Sequence, residues 1–151
     1  MVQNPPEGYQ RVIPYVLYED ASAAIEFVCN AFGFSERMRM PGEDGKLMHA
    51  EIERDGNVVM LATAMSEMGQ SSARHQSGYS SMVLCYVDDV DAHYEQASEA
   101  GAEILAEPAD QFYGDRTYAA FDLEGHRWYF HQHVKDVAPE EMNPSVGAAA
   151  D

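Results

Sequence analysis

A spacing of 69 residues recurs through this chain and limits what it can fold into. Gly45 and Gly114, Gly56 and Gly125, and Met60 and Tyr129 all stand 69 positions apart. The same local plan repeats around them. In the second half a Tyr113-Gly114 turn opens the stretch, Thr117 to Phe121 alternates with period two, Leu123 to Gly125 turns, and Arg127 to Val134 alternates again. That pattern reads as a β-hairpin. In the first half Asp44-Gly45, Leu47 to Arg54, Asp55-Gly56 and Asn57 to Ala62 follow in the same order. Upstream, Asp20 to Gly33 and Asp88 to Gly101 each span 13 positions and read as a helix capped by aspartate and stopped by glycine. The chain therefore reads as two copies of one unit.

Each copy begins with an apolar strand, Arg11 to Tyr18 in the first and Ser81 to Val87 in the second. Pro14 suits a strand at a sheet edge. In the first helix Ala24, Phe27, Val28, Ala31 and Phe32 share one face, and the cap of the second is Asp88 or Asp89. Phe34 to Met40 and the short Glu103 to Ala106 supply the next strands. Each copy thus reads β-α-β-β-β. The expected division is a lead-in at 1–10, a first module at 11–62, a linker at 63–79, a second module at 80–134, and a loosely ordered acidic tail at 135–151. Neither module buries a sheet face alone, so the two are expected to share a cavity. In the linker, Met65, Met68 and Arg74 are either a flap over a ligand or mobile filler.

Charge narrows the partners. With 26 Asp and Glu against 9 Lys and Arg, the formal net charge is -17. Such a surface repels phosphate backbones, which argues against nucleic acid and anionic membrane, and it attracts cationic ligands; solubility or adaptation to salt is the plainer explanation. No stretch approaches the roughly 18 apolar residues of a membrane span, and MVQNPPEGYQR has no signal-peptide character, so a cytoplasmic protein is expected. Cys29 and Cys85 have neither redox nor zinc spacing and read as small hydrophobes. No GxSxG, Walker or zinc-protease pattern is present.

The segments IPYVLYEDASAAIEF, MHAEIERDGNVVMLA, VDDVDAHYEQASEAGAEI and YGDRTYAAFDLEGHRWYF together resemble the vicinal oxygen chelate superfamily, the group of glyoxalase I, bleomycin-resistance proteins, fosfomycin-resistance enzymes and extradiol dioxygenases. Within it the chain is most similar to the PhnB-like, bleomycin-resistance-like branch, over about residues 9 to 134. The resemblance implies an α+β fold of two βαβββ modules forming an open, incomplete barrel around a shared cavity, commonly in a homodimer. In the superfamily's enzymes a divalent metal is held by His, Glu or Gln on the first and last strands of each module. Carried over, those positions are Ile13, Met60, Met82 and Tyr129, none a usual ligand of a divalent metal. The expectation is therefore no metal and no cofactor.

Period-two alternation then extends the inferred cavity lining. Arg127, Tyr129 and His131 share the inward face, with Trp128 and Phe130 packed under the helices; Arg11, Ile13 and Tyr15 share a face, as do Met82, Leu84 and Tyr86, and as do Val58 and Met60. His49, Glu51 and Glu53 alternate with Met48, Ala50 and Ile52, and the 69-residue spacing matches His49 to Tyr118. The candidate ligand-binding residues are Tyr15, His49, Glu51, Met60, Met82, Tyr86, Tyr118, Arg127 and Tyr129, an aromatic and Met-rich set suited to a flat organic molecule whose positive group meets Glu51 or a ring face. Core filling is the alternative for each. His49 and Glu51 read as a hydrogen-bonded structural pair, as two ligands of a displaced divalent metal, or as a base and its orienting group. His126 belongs to the hairpin turn, His131 and His133 can take adventitious metal, His75 lies in the linker and His93 on a helix. The function expected is metal-free binding of a hydrophobic or cationic small molecule, such as an antibiotic, by a homodimer. The alternatives are a metal-dependent lyase, isomerase or transferase with His49 and Glu51 as catalytic residues, and an accessory module whose dimer surface is its function.

Overall fold

The computed structural model describes residues 2–142. Two compact units are present: one runs to Tyr79 and takes in Leu123–Gly125, the other holds Ser80–Asp122 and the chain from His126. In the first, β1 (Tyr15–Tyr18), α1 (Ala21–Phe32), β2 (Ser35–Pro41), β3 (Leu47–Arg54) and β4 (Asn57–Thr63) build a sheet of order β1-β4-β3-β2. In the second, β5 (Val83–Tyr86), α2 (Val90–Glu99), β6 (Glu103–Asp110), β7 (Asp115–Phe121) and β8 (Arg127–His133) repeat it as β5-β8-β7-β6. The pairs β1·β4 and β5·β8 are parallel and the rest antiparallel, so both sheets are mixed and neither closes on itself. This is the α+β arrangement of two βαβββ modules.

Local chemistry sets the helix ends. The Asp20 carboxylate accepts the Ala23 N–H at 3.0 Å and Asp89 accepts that of Ala92 at 3.0 Å, each satisfying a donor the helix leaves unpaired. The cap of α2 is thus Asp89. Gly33 ends α1, whereas α2 ends earlier, at Glu99, with Ala100 as its cap. The buried stripe of α1 is Ala21, Ala24, Ile25, Val28, Ala31 and Phe32, and Phe27 lies half-buried, edge-on to Phe32. Under α2 the sheet offers Trp128 and Phe130, both fully buried, with Phe130 4.3 Å from the His93 ring. Each large side chain buried this way contributes about 2–3 kcal/mol. The Trp128 indole N–H is satisfied by Asp122 at 3.1 Å.

Strand boundaries depart from expectation at several points; β5 starts at Val83 rather than Ser81, and β7 at Asp115 rather than Thr117. β1 starts at Tyr15, because Pro14 has no N–H to give; its carbonyl still accepts the Met60 N–H at 3.0 Å. Upstream the Gln10 side-chain amide replaces a strand partner, bonding the Val58 carbonyl at 2.6 Å and the Val58 N–H at 3.0 Å, while Arg11 is exposed and reaches only the Asn4 carbonyl. β6 runs to Asp110 rather than Ala106, taking Pro108 into a register irregularity between Ala106 and Ala109, and β2 is likewise irregular at two points. The linker contains two 3-10 turns, Ser66–Met68 and Ala73–His75. Of the expected tail at 135–151, the part up to residue 142 includes a 3-10 turn at Pro139–Glu141, and the remainder lies outside the described residues. Within the first unit the buried Glu124 carboxylate accepts the N–H groups of Glu19 (2.6 Å) and Asp20 (2.8 Å) and the Ser72 hydroxyl, so this turn residue fastens both the start of α1 and the linker. Cys29 and Cys85 are half-buried and neither is in a disulfide.

Candidate functional site

Register decides which side chains meet. In the first unit Tyr15 and Glu51 both stand opposite Met60, while Met38 faces Glu51 and Met40 faces His49. The alternate residues Val16, Tyr18, Ala50, Ile52, Val59 and Leu61 are buried. One sheet face therefore carries Tyr15, Met60, His49 and Glu51 together, as the alternation predicted. The Tyr15 hydroxyl lies 2.9 Å from His49 Nδ1, and His49 Nε2 lies 3.0 Å from Glu51 Oε1. The Tyr9 hydroxyl donates to both Glu51 oxygens, at 3.1 and 2.9 Å. Arg37 Nε is 3.8 Å from Glu51 Oε2, and its guanidinium sits 4.6 Å over the Tyr9 ring.

Glu51 is only 4% exposed. Burial works to raise its pKa, but the bonds from His49 and Tyr9 and the Arg37 charge outweigh it and hold the carboxyl below the ordinary value. An ionised Glu51 only accepts, so His49 donates to it through Nε2, and in the Nε2–H tautomer Nδ1 accepts the hydrogen bond of the Tyr15 hydroxyl. The phenols respond in kind: the bond to Glu51 raises Tyr9, and burial followed by the Glu51 charge raises Tyr15. Both ring nitrogens of His49 are engaged, and the buried Glu51 carboxylate is already bonded by Tyr9 and His49 and faced by the Arg37 charge.

Two cavities open beside this network. One of about 440 Å3 is lined by Tyr15, Leu17, Met48, Met65, Met68 and Gln70. The other, of about 530 Å3, shares Met48, Thr63 and Met65 with it and extends to Leu47 and the turn residues Glu43, Asp44 and Lys46. Met65 and Met68 thus stand over a ligand-sized space, whereas Arg74 bonds Glu19 at 2.9 Å. Met48 corrects the alternation. Expected on the apolar face with Ala50, it is 63% exposed and lines both cavities, because the β2·β3 register shifts between Met40 and Pro41 and interrupts the period.

In the second unit Leu84 and Ala119 stand opposite Tyr129, and Tyr86 and Thr117 opposite His131. Tyr86, Tyr129 and Arg127 accordingly share one face, with Arg127 stacked 5.5 Å over Phe121; Met82 lies just ahead of β5 and is half-exposed. At the end of this face the first residue of β7, Asp115, 4% exposed, accepts from the Tyr86 hydroxyl (2.8 Å), His131 Nδ1 (3.0 Å) and His133 Nδ1 (2.8 Å). Burial pushes the Asp115 carboxyl up, and these bonds more than reverse it. Tyr86 is raised in turn by its bond to Asp115. Tyr113 stacks on the His131 ring at 6.2 Å and is raised mainly by burial.

Tyr118 does not join this face. It is 1% exposed, stacked on Phe130 at 5.0 Å, and its hydroxyl is 2.5 Å from His93 Nδ1 on α2. The first hairpin turns through Asp55 and Gly56 alone, but the second turns through residues 122–126, so β7 is displaced by one residue against the repeat. Thr117 takes the place of His49, and a one-residue slip reverses the face. Tyr9, Arg37, Tyr113 and Asp115 were missed. Tyr9 lies outside any periodic segment and Arg37 is turned onto the site by the bulge in β2. Asp115 could have been found from its period-two spacing to Thr117.

The carried-over metal positions shift as well: Met60 faces Tyr15 rather than Ile13, and Tyr129 faces Leu84 rather than Met82. Two thioether- or hydrocarbon-bearing residues and two phenols do not fit a divalent metal. Among the described residues no three His, Cys, Asp or Glu side chains are grouped to hold one.

Compared with known families, residues 12–130 match the Glyoxalase/Bleomycin resistance protein/Dioxygenase superfamily. The chain belongs to this superfamily. Among its relatives, Mb0911c of Mycobacterium bovis is 35% identical over 141 residues, covering 91% of this chain and 93% of its own length. TioX from Micromonospora sp. ML1 is similar in structure, with a TM-score of 0.66 and 28% identity over 83% of this chain and 99% of its own. TnmS3, an antibiotic binding protein from Streptomyces sp. CB03234, shares the fold at a TM-score of 0.62 and 21% identity, covering 80% of this chain and 93% of its own. Among the described residues no helix is long and apolar enough to cross a membrane.

Proposed function

We propose that this superfamily member binds and sequesters a small hydrophobic or cationic molecule without a metal, as a cytoplasmic homodimer of the PhnB-like branch. One observation carries the reading. The strand centres that face each other, Tyr15 with Met60 and Leu84 with Tyr129, offer rings and apolar chains where a chelating site needs imidazole or carboxylate. Beside the first pair lies a cavity of about 440 Å3 walled by Tyr15, Leu17 and three methionines, the size and character of a small-molecule pocket. TnmS3 makes antibiotics the first compounds to screen.

The competing reading is a metal-dependent lyase, isomerase or transferase using His49 and Glu51. It requires His49 to give up Tyr15 or Glu51, since both ring nitrogens are engaged. Elemental mass spectrometry after incubation with nickel, zinc, manganese and ferrous iron, paired with a thermal-shift screen of antibiotics and cationic aromatics, separates the two. Saturable binding without stoichiometric metal is expected, with Tyr15→Ala weakening it about tenfold through lost ring contact. One tightly held metal per chain that supports a reaction abolished by His49→Ala would overturn the proposal.

A further inference from the structure

Resting on the small-molecule reading above, we propose that the cavity beside β1 recognises a flat molecule carrying both a hydrogen-bond donor and a carbonyl acceptor. The donor meets the Tyr15 hydroxyl oxygen and the carbonyl meets the Gln70 amide. The polarity of each group is set by what it already bonds. At Tyr15 it is set by Glu51, acting through His49. The Glu51 carboxylate, whose bonds from His49 and Tyr9 outweigh its burial, can only accept, so the His49 proton sits on Nε2, 3.0 Å from Oε1. Nδ1 is then the acceptor, and the Tyr15 hydroxyl gives it its one proton at 2.9 Å. What this half-exposed tyrosine keeps for a ligand is oxygen lone pairs. A freely rotating hydroxyl would serve donors and acceptors alike. This one does not, because turning its proton to a ligand would leave Nδ1 without a donor.

Gln70 is set the opposite way. Its Oε1 accepts the Met65 N–H at 3.0 Å, which leaves the amide Nε2, without a hydrogen bond among the described residues, as the group it can offer. Gln70 and Tyr15 line the same cavity of about 440 Å3. Of its other walls, Leu17, Met48, Met65 and Met68 are apolar and the methionines adaptable, while Thr63 is buried with its oxygen taken by the Leu47 N–H at 3.0 Å. The apolar walls hold a flat body in any orientation; the oxygen at Tyr15 and the amide at Gln70 select one.

The test compares acridone, a flat tricycle with a ring N–H and a carbonyl, with N-methylacridone, which keeps the carbonyl and lacks the donor. Their emission is followed at about pH 8.5, where an ordinary imidazole carries one ring proton. Acridone is expected to bind about fivefold more tightly, and Tyr15→Phe should bring the two to equal affinity. Glu51→Gln should do the same. Arg37, 3.8 Å from Oε2, keeps the amide oxygen on its side, so the amide nitrogen takes the place of Oε1 and donates to His49 Nε2; the ring proton moves to Nδ1, and the Tyr15 hydroxyl is turned into a donor. Long-range proton–nitrogen NMR spectra should show His49 as the Nε2–H tautomer in the native chain and as the Nδ1–H tautomer in this variant, a change that loss of packing would not produce. Gln70→Glu keeps an acceptor for the Met65 N–H but removes the amide donor, and should weaken both acridones about fivefold or more with their ratio kept. Equal affinity of the two for the native chain, or a preference that survives Tyr15→Phe and is therefore steric, would overturn the Tyr15 assignment and leave the small-molecule reading standing. A preference and an Nε2–H tautomer that both survive Glu51→Gln would refute Glu51 as their source, and unchanged affinities in Gln70→Glu would remove Gln70. Binding of compounds from the thermal-shift screen but of neither acridone would overturn the assignment alone; saturable binding of none would overturn the reading with it.

Discussion

Gly114→Ala should be among the most damaging single-methyl additions this chain can receive. Gly114 has φ +98°, where an L side chain is strained by about 1–2 kcal/mol. The added Cβ would overlap the Lys135 carbonyl oxygen and lie 3.2 Å from Val137 Cγ2, so backbone must move. What moves is the segment fastened by Val134 N–H and Lys135 N–H to the Gly114 carbonyl, each at 3.0 Å, and losing these bonds costs about 1 kcal/mol apiece. The combined loss is about 3–4 kcal/mol, or roughly 10 °C in Tm for a chain of this size. The control is Gly56→Ala. There φ is +77° but no atom lies within 4 Å, so strain alone remains and the loss is about 1–2 kcal/mol. Urea unfolding of both variants, followed by tryptophan emission, measures the difference. Equal midpoints would refute the close approach as the reason glycine stands at 114.

Two further outcomes are expected. Tyr118→Phe should cost about 1–2 kcal/mol in urea unfolding by removing the hydroxyl bonded to His93 Nδ1, and leave the affinity of compounds found in the thermal-shift screen unchanged because Tyr118 is on the helix side of its sheet; weakened binding would return Tyr118 to the site. His133 has Asp136 on Nε2 at 2.9 Å and Asp115 on Nδ1 at 2.8 Å, and these bonds, Asp136 first, raise its pKa above 6.5. A raised folded value means the contribution is fully present below the ordinary histidine pKa and is lost as pH rises through the elevated one. Its NMR titration midpoint should lie above 6.5 and fall in Asp136→Asn; a midpoint at or below 6.5 would contradict the double clamp.

The repeat was legible because it is written in residues that backbone geometry demands, namely Asp20 and Asp89 at helix starts and Gly56 and Gly125 in hairpin turns. The face shared by Tyr15, Met60, His49 and Glu51 followed from period two. Where alternation failed, the cause was local: the irregularity before Pro41 turned Met48 toward the cavities, and the longer second turn carried Tyr118 away from them. Neither is encoded in hydrophobic pattern, since an inserted residue changes register without changing composition. Tyr9 was illegible for another reason. Its position depends on Gln10 pairing with Val58 across 48 residues of chain, a contact no local signal announces.

The outer strands of the two sheets, β1 and β2 in one and β5 and β6 in the other, also bear on how the protein behaves when concentrated. An exposed strand edge invites pairing with another chain. Here β1 and β5 offer only four residues each, and β2 and β6 are each interrupted at two points, with Pro41 and Pro108 removing donors. A growing fibril would find no long, regular edge to copy, and with a formal charge of -17 on each chain, additions would also repel one another. The bulge that brings Arg37 to Glu51 therefore also protects an edge, so straightening β2 to tidy the site would create a surface open to strand addition.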